Sequence, residues 1–304
     1  MTALFDYFHA SQAALQASPA VFIAITAVLG LLVGSFLNVV IYRLPVMMER
    51  EWRVACDEML SPAGAQVETA MVPEPPFNLI TPRSQCPKCK HAITALENIP
   101  VLSYMRLKGR CSGCGTHISV RYPSIEALTA ALSAIVAWHF GFGWEAGAAL
   151  FLTWALIALS FIDFDHQLLP DSITLPFLWI GLTLSLFPVY VDSFNSIIGA
   201  LAGYLSLWMV YMLFKLLTGK EGMGHGDFKL LAMLGAWLGW KSLLTVVLLS
   251  SLVGAVVGIS LVLLRGRDKN IPIPFGPYLA AAGWITLLWG DDITQAYLGV
   301  SGLG

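Results

Sequence analysis

Eight runs of mostly apolar residues dominate the chain, at roughly 20–42, 124–142, 147–163, 172–190, 195–214, 227–240, 242–264 and 276–290. Each is continuous rather than alternating, which favours helices over strands. A helix needs about 20 apolar residues to cross a bilayer. The sixth run is short and starts beside a glycine-rich turn. The pattern predicts a mainly α fold, a polytopic membrane bundle of about eight transmembrane helices. One long polar stretch, 43–121, separates the first run from the second. Within it, Arg50–Arg83 is rich in Pro and Ala with scattered acids and reads as a loose loop. The expected organisation is an N-terminal interfacial segment (1–19), a first span (20–42), a polar insertion (43–121) and a membrane domain (122–304). Phe5, Tyr7, Phe8 and Leu15 suit the interface. Residues 1–18 hold no Lys or Arg, so they lack the charged start of a cleaved signal peptide. The first span is expected to be retained.

Composition narrows the class. Of 304 residues, 57% are hydrophobic and only 12% charged, against about 25% charged in a soluble domain. A soluble globule, a disordered chain, a collagen and a disulfide-rich scaffold are excluded. A net charge of −2 speaks against a nucleic-acid partner; lipid is the expected surrounding.

The distribution of charge sets the orientation. Ten of the seventeen cations lie between Arg43 and Arg121, and none between Tyr122 and Phe214. The rest are Lys215, Lys220, Lys229, Lys241, Arg265, Arg267 and Lys269. By the positive-inside rule the N-terminus lies outside and the insertion in the cytoplasm. Lys241 is then the exception.

The insertion carries four of the five cysteines. Cys86-Pro-Lys-Cys89 and Cys111-Ser-Gly-Cys114 form two C-x-x-C pairs with 21 residues between them. Two such knuckles complete a tetrahedral cage of thiolates, so a structural zinc site of Cys86, Cys89, Cys111 and Cys114 is expected in a zinc-ribbon-like domain. Gly113 and Gly115 suit the turns, and Lys88, Lys90 and Arg110 offset the anionic charge. Two disulfides are the alternative, disfavoured in a reducing cytoplasm. Cys56 reads as a free thiol, and His91 and His117 as surface residues.

Ionisable residues at membrane depth are functional candidates because burying charge in lipid is costly. They gather in Asp163-Phe-Asp165-His166-Gln-Leu-Leu-Pro170-Asp171, at the end of the third run, and in Gly224-His225-Gly226-Asp227-Phe-Lys229, opening the sixth. The topology puts both on the cytoplasmic side. Two carboxylates in one site cannot both ionise easily, so such a pair shares a proton and serves as acid and base for attack on a peptide carbonyl. Plainer roles stand beside this one. Asp171 caps the fourth helix, Asp227 is an N-cap, and Asp163, Asp165 and His166 are interfacial polar groups. A proton-coupled transporter with a regulatory zinc domain uses similar acids and stays open on these residues alone.

Taken together, the motifs resemble the prepilin leader peptidases of bacterial type IV pilus and type II secretion systems, which belong to the GxGD membrane aspartic proteases. The segments that carry the resemblance are Gly34-Ser-Phe-Leu-Asn38-Val-Val-Ile-Tyr-Arg43-Leu-Pro45, both C-x-x-C pairs, Glu97-Asn98-Ile-Pro-Val-Leu-Ser-Tyr104 and Gly109-Arg110-Cys111. To these add Ser119-Val-Arg-Tyr-Pro123, Asp163-x6-Pro170, Gly224-His-Gly-Asp227-Phe-Lys229 and Pro274-Phe-Gly-Pro277.

The resemblance implies a bifunctional enzyme, with 122–304 as its aspartic peptidase domain. Such enzymes cut the basic leader from prepilins and pseudopilins after a glycine, on the cytoplasmic face of the bacterial inner membrane. They then N-methylate the new N-terminal residue, usually phenylalanine, with S-adenosylmethionine. Carried over, Asp163 and Asp227 are the catalytic acids; the spacing to Pro170 selects Asp163 over Asp165. Methylation candidates are Glu97, Asn98, Gly109, Arg110 and Glu126. Among these, Glu97, Gly109 and Arg110 would bind the methyl donor, Glu97 orienting the amine and Arg110 meeting the donor's carboxylate. Packing or metal-knuckle structure is the plainer role of each. Asn38 reads as glue between helices. Pro272, Pro274 and Pro277 set the entry of the last span, or line the site beside the acid pair.

Overall fold

A computed structural model describes residues 16–60, 76–94, 96–220, 222–265 and 274–301. The expected interfacial segment before residue 16, Arg267, Lys269 and Pro272 lie outside them. The described residues form helices α1 (Pro19–Leu60), α2 (Leu102–Arg106), α3 (Arg121–Phe140), α4 (Trp144–His166), α5 (Asp171–Leu184), α6 (Ser193–Thr218), α7 (His225–Leu238), α8 (Trp240–Arg265) and α9 (Gly276–Ser301). Every apolar run of the sequence falls on one of the long helices. By length and composition, four are able to cross a membrane: α1, α4, α6 and the Trp240–Ser260 part of α8. The protein is a mainly helical membrane protein. Its chain divides into two compact units, one of residues 24–134 and one of residues up to 23 with 135–304.

In the first unit, α1 and α3 meet through small residues one turn apart. A Cβ at Gly30 would lie 2.8 Å from Ala130 Cα, and one at Gly34 2.7 Å from Glu126 Cα. Only glycine allows backbones this close, the small-xxx-small rule of membrane helices. Asn38 Nδ2 donates to the carbonyls of Gly34 and Tyr122, each at 3.2 Å, and so ties α1 to the start of α3.

The sequence reading of this region needs one correction. α1 does not stop near residue 42 but runs through Pro45 to Leu60, so the first part of the expected Arg50–Arg83 loop, 50–60, is helix. The polar extension carries an i,i+4 pair, Arg53 to Glu49 at 2.6 Å, the spacing that supports an exposed helix. The chain then returns to α1. Buried Arg43 donates to the carbonyls of Asn78 (2.8 Å) and Pro82 (2.6 Å), and Arg50 lies 4.6 Å from the Phe77 ring centroid.

The second unit is built around α7. From Asp227 to Leu238 this helix is buried at every position but Lys229, and it packs against α5, α6, α8 and α9. At about 21 Å for 14 residues it is too short to cross a bilayer alone. The short sixth run is thus a central helix, apolar all round because protein surrounds it. Its closest neighbour is α6. A Cβ at Gly235 would lie 2.1 Å from the Gly199 carbonyl oxygen, and Ser196 Oγ donates to the Ala236 carbonyl at 2.6 Å. Trp237 Nε1 donates to the Phe177 carbonyl of α5 at 2.7 Å. Two ends differ from expectation. α5 closes at Leu184 rather than 190, and α9 continues past 290 to Ser301 with a kink at Trp289. On α8, Leu244, Leu248 and Leu252 form an exposed stripe at i,i+4, an apolar face of the kind that lipid covers.

Candidate active site and metal centre

The cysteine region is a structural repeat that extends beyond the two C-x-x-C pairs seen in the sequence. In the first knuckle, Cys86 N–H donates to His91 O (2.9 Å) and Lys90 N–H to Cys86 O (3.0 Å). In the second, Cys111 N–H donates to Thr116 O (2.8 Å) and Gly115 N–H to Cys111 O (2.9 Å). Both are closed by an antiparallel bridge, Gln85 with Ala92 and Arg110 with His117. The left-handed turn position is Lys90 (φ 61°) in one and Gly115 (φ 69°) in the other. A non-glycine residue there masks the repeat.

All four thiols are free, and their sulfurs lie within 4.8 Å of one another. Cys86 to Cys114 and Cys89 to Cys111 are each 3.9 Å. Tetrahedral Zn–S bonds of about 2.3 Å space sulfurs about 3.8 Å apart, so the donor set fits zinc. Thr116 beside Cys114 lowers that thiol to about 6, through its side chain and then its backbone. Backbone N–H groups of Cys89 and Lys88 lower Cys86. Both shifts favour the thiolate, the form a metal binds. Cys89, lowered by the His91 backbone but raised by Cys114, burial and the other thiols, is instead pushed up to about 11, so the four thiolates need a cation to ionise together. Cys56 is exposed on α1 and outside the cluster.

Glu97 spans the two knuckles. Its carboxylate accepts from Ser112 Oγ, from Thr94 N–H (2.8 Å) and Oγ1 (2.9 Å), and lies 3.3 Å from His91 Nε2. The Ser112 hydroxyl, and next the Thr94 backbone, pull its pKa down to about 2. Gly109 turns the chain at φ 67°, where a Cβ would lie 2.8 Å from Tyr104 Oη. Arg110 is exposed beside it. Glu126 is buried on α3 and accepts from Val101 N–H at 2.8 Å. Val101 is a residue that the sequence reading missed. It sits at φ 57°, ψ −48°, with Leu102 N–H donating to Pro100 O at 2.5 Å. This is a γ-turn of the strained, positive-φ kind, and a β-branched residue gives no sequence signal for it.

In the second unit, Asp163 and Asp227 are 5% and 8% exposed, whereas Asp165 and His166 are exposed. Asp163 lies in the last turn of α4, which closes with Gln167 in the left-handed region. Its Oδ2 accepts the backbone N–H of Gly276 at 3.0 Å. Gly276 opens α9, where N–H groups lack intrahelical partners and attract anions. A Cβ there would fall 2.6 Å from Asp163 Oδ2, so only glycine lets the carboxylate in. Pro274-Phe-Gly-Pro277 therefore borders the acid. Asp227 is the third residue of α7, after Gly224 as N-cap, and so is not itself the cap. Leu169 joins the two supports. Positions for a Cβ on Gly226 and on Gly276 lie 2.8 Å and 3.2 Å from its side chain. Leu169 thus packs both on the residue before Asp227 and on the glycine whose N–H holds Asp163.

Asp171 is the first residue of α5, with Pro170 as N-cap and no side-chain cap bond. Its expected capping role is replaced by an ion pair. Lys229 Nζ lies 2.7 Å from both of its oxygens.

Comparison with known proteins bears on both units. A model of the bacterial peptidase A24 N-terminal domain matches residues 28–140, and one of the type IV leader peptidase family matches 150–259. A prepilin leader peptidase/N-methyltransferase of Stutzerimonas stutzeri is 55% identical over 288 residues, 93% of this chain and 96% of that protein. Its counterpart in Pseudomonas aeruginosa is 55% identical over 291 residues, 95% and 97% of the two chains. That of Aeromonas hydrophila is 58% identical over 280 residues, 92% and 95%. No solved structure matches. With identity this high over nearly the full length of both partners, the chain belongs to the type IV leader peptidase family.

Proposed function

We propose that the protein cleaves the leader peptide from type IV prepilins and pseudopilins and then N-methylates the exposed residue. The observation that carries the peptidase half is the pair of buried carboxylates, Asp163 and Asp227, whose supporting glycines share the Leu169 side chain, in the unit that matches the leader peptidase model. The pair shares one proton. The ionised carboxylate takes a proton from water as its oxygen attacks the scissile carbonyl, and the protonated one donates toward the carbonyl oxygen. Collapse of the diol breaks the C–N bond, and the departing nitrogen takes a proton from the pair. The Gly276 N–H engages one oxygen of Asp163, which fixes the orientation of the other. Relatives named as leader peptidases favour this reading over a proton-coupled transporter.

For methylation, S-adenosylmethionine when bound supplies the methyl group. Exposed Arg110 suits its carboxylate. Gly109 and Glu97 shape the edge that carries Arg110, since the Glu97 carboxylate is already engaged by three neighbours. Zinc held by Cys86, Cys89, Cys111 and Cys114 keeps the knuckles folded; four thiolates leave no open position for chemistry. By the cation asymmetry, the protein sits in the bacterial inner membrane with about eight embedded helices, the short α7 enclosed by its neighbours rather than facing lipid. Its N-terminus is periplasmic, and the zinc domain and acid pair are cytoplasmic.

The test is product mass. Purified protein in detergent is incubated with a prepilin, with and without S-adenosylmethionine. The expected product lacks the leader in both cases and carries one added methyl only with the donor. Intact prepilin, or methylation of uncleaved substrate, contradicts the proposal.

A further inference from the structure

We propose that the Asp171–Lys229 ion pair is a positioning clasp that sets the acid pair, an inference that rests on the peptidase reading of Asp163 and Asp227. Leu169 and Asp171, on either side of Pro170, contact residues that flank both carboxylates. Leu169 fills the space over Gly226, the neighbour of Asp227, and over Gly276, whose N–H holds Asp163. Asp171 then takes Lys229, two residues beyond Asp227, with both oxygens at 2.7 Å. Leu169 and the ion pair thus hold the elbow between α4 and α5, residues 167–171, to the start of α7 at two points.

Two further observations separate this pair from an ordinary surface salt bridge. The first is the state of the helix ends. The N-cap residues, Gly224 before α7 and Pro170 before α5, carry no side-chain acceptor that could cap their helices. The helix that carries Asp227 and the helix that starts at the elbow are tied at their N-termini to each other. The second is the sign of the charge. A carboxylate at the first residue of α5 suits the positive end of that helix, but a cation near the positive end of α7 does not. Lys229 is therefore ill placed for α7 and well placed for Asp171. Its side chain is 30% exposed and that of Asp171 52%. Pairs this exposed contribute little to global stability. What the contact fixes is the angle at which the first turn of α7, and Asp227 with it, meets the elbow.

The test uses the full-length protein in detergent with a prepilin substrate, measuring kcat, KM and Tm. Lys229→Met and Asp171→Asn are each expected to lower kcat about tenfold or more, with KM within about twofold and Tm unchanged, as for a displaced catalytic group. The double variant loses no more than either single one, because both break one contact. Lys229→Arg, which keeps a bidentate cation, restores most of the rate. Unchanged kcat in the single variants overturns the clasp, as does additive loss in the double variant. Rate loss that tracks a fall in Tm also overturns it, because the pair then only stabilises the fold. If wild-type protein fails to cleave, the peptidase reading itself falls; wild-type cleavage with unaffected variants removes the clasp alone.

Discussion

Replacing Gly276 with alanine places one methyl group against the acid pair. The added Cβ would sit 2.6 Å from Asp163 Oδ2 and 3.1 Å from its Cγ. That is roughly 0.8 Å inside the 3.4 Å at which ordinary contact begins. Leu169, at 3.2 Å, blocks retreat on one side. The backbone N–H survives the substitution, so the hydrogen bond is displaced rather than deleted. Misplacing a reacting group by about 1 Å costs up to about a hundredfold in rate. The expected loss in kcat is therefore roughly 30- to 100-fold, or about 2–3 kcal/mol of barrier. Overpacking costs the fold about 1–3 kcal/mol in addition. Gly290→Ala is the control on the same helix, with its new methyl 3.0 Å from a Thr286 methyl and no carboxylate nearby. The assay is cleavage of a prepilin in detergent, with kcat and KM measured beside Tm. Wild-type kcat in Gly276→Ala would falsify the claim that Asp163 is held against α9.

Other outcomes follow from the same geometry. Cys86→Ser or Cys111→Ser should strip bound zinc, read by metal analysis, and loosen the knuckles, since structural zinc supplies about 10 kcal/mol or more of folding energy. Full zinc content in either variant contradicts the four-thiolate site. Glu97→Gln should lower hydrogen-exchange protection over 86–117 in a pH-dependent way. With its pKa held down at about 2 against an ordinary 4.5, the carboxylate contributes fully above about pH 4.5. That contribution disappears as pH falls toward 2. The gap between variant and wild type should shrink on acidification; a gap that widens reverses the sign and rejects the account. Gly235→Ala drives a methyl to 2.1 Å from the Gly199 carbonyl oxygen and should destabilise the bundle by about 3 kcal/mol or more. An unchanged Tm would show that α6 and α7 are not in backbone contact.

The helices were legible because each is written locally, as a continuous apolar run. Their ends were less so. Pro45 looks like a stop, yet α1 carries it in a buried position and continues on polar residues joined by Glu49 and Arg53. The short length of the sixth run was visible in the sequence. Its meaning, a helix enclosed by four others, depends on packing partners on α5 and α9 that lie far from it in the chain. The acids and the cysteines were also local signals, carried by motif and spacing. What holds them was not. Gly276 is 113 residues from Asp163, and Lys229 is 58 from Asp171. Only folding makes those pairs. Glu97 was read toward the methyl donor because its motif stands in the polar insertion. Its hydroxyl partners, Ser112 and Thr94, are unremarkable in sequence, yet they are what engages the carboxylate.

The central claim is that Asp163 and Asp227 cut the peptide together. The direct measurement is prepilin cleavage by Asp163→Asn and by Asp227→Asn, each purified and matched to wild type in Tm and zinc content. Every acid–base step needs both carboxylates, so each variant is predicted to leave the prepilin intact, and the double variant to be no worse. Methylation of a precleaved pilin should persist in all three. Cleavage at the wild-type rate by either single variant, folded and zinc-loaded, would contradict the account.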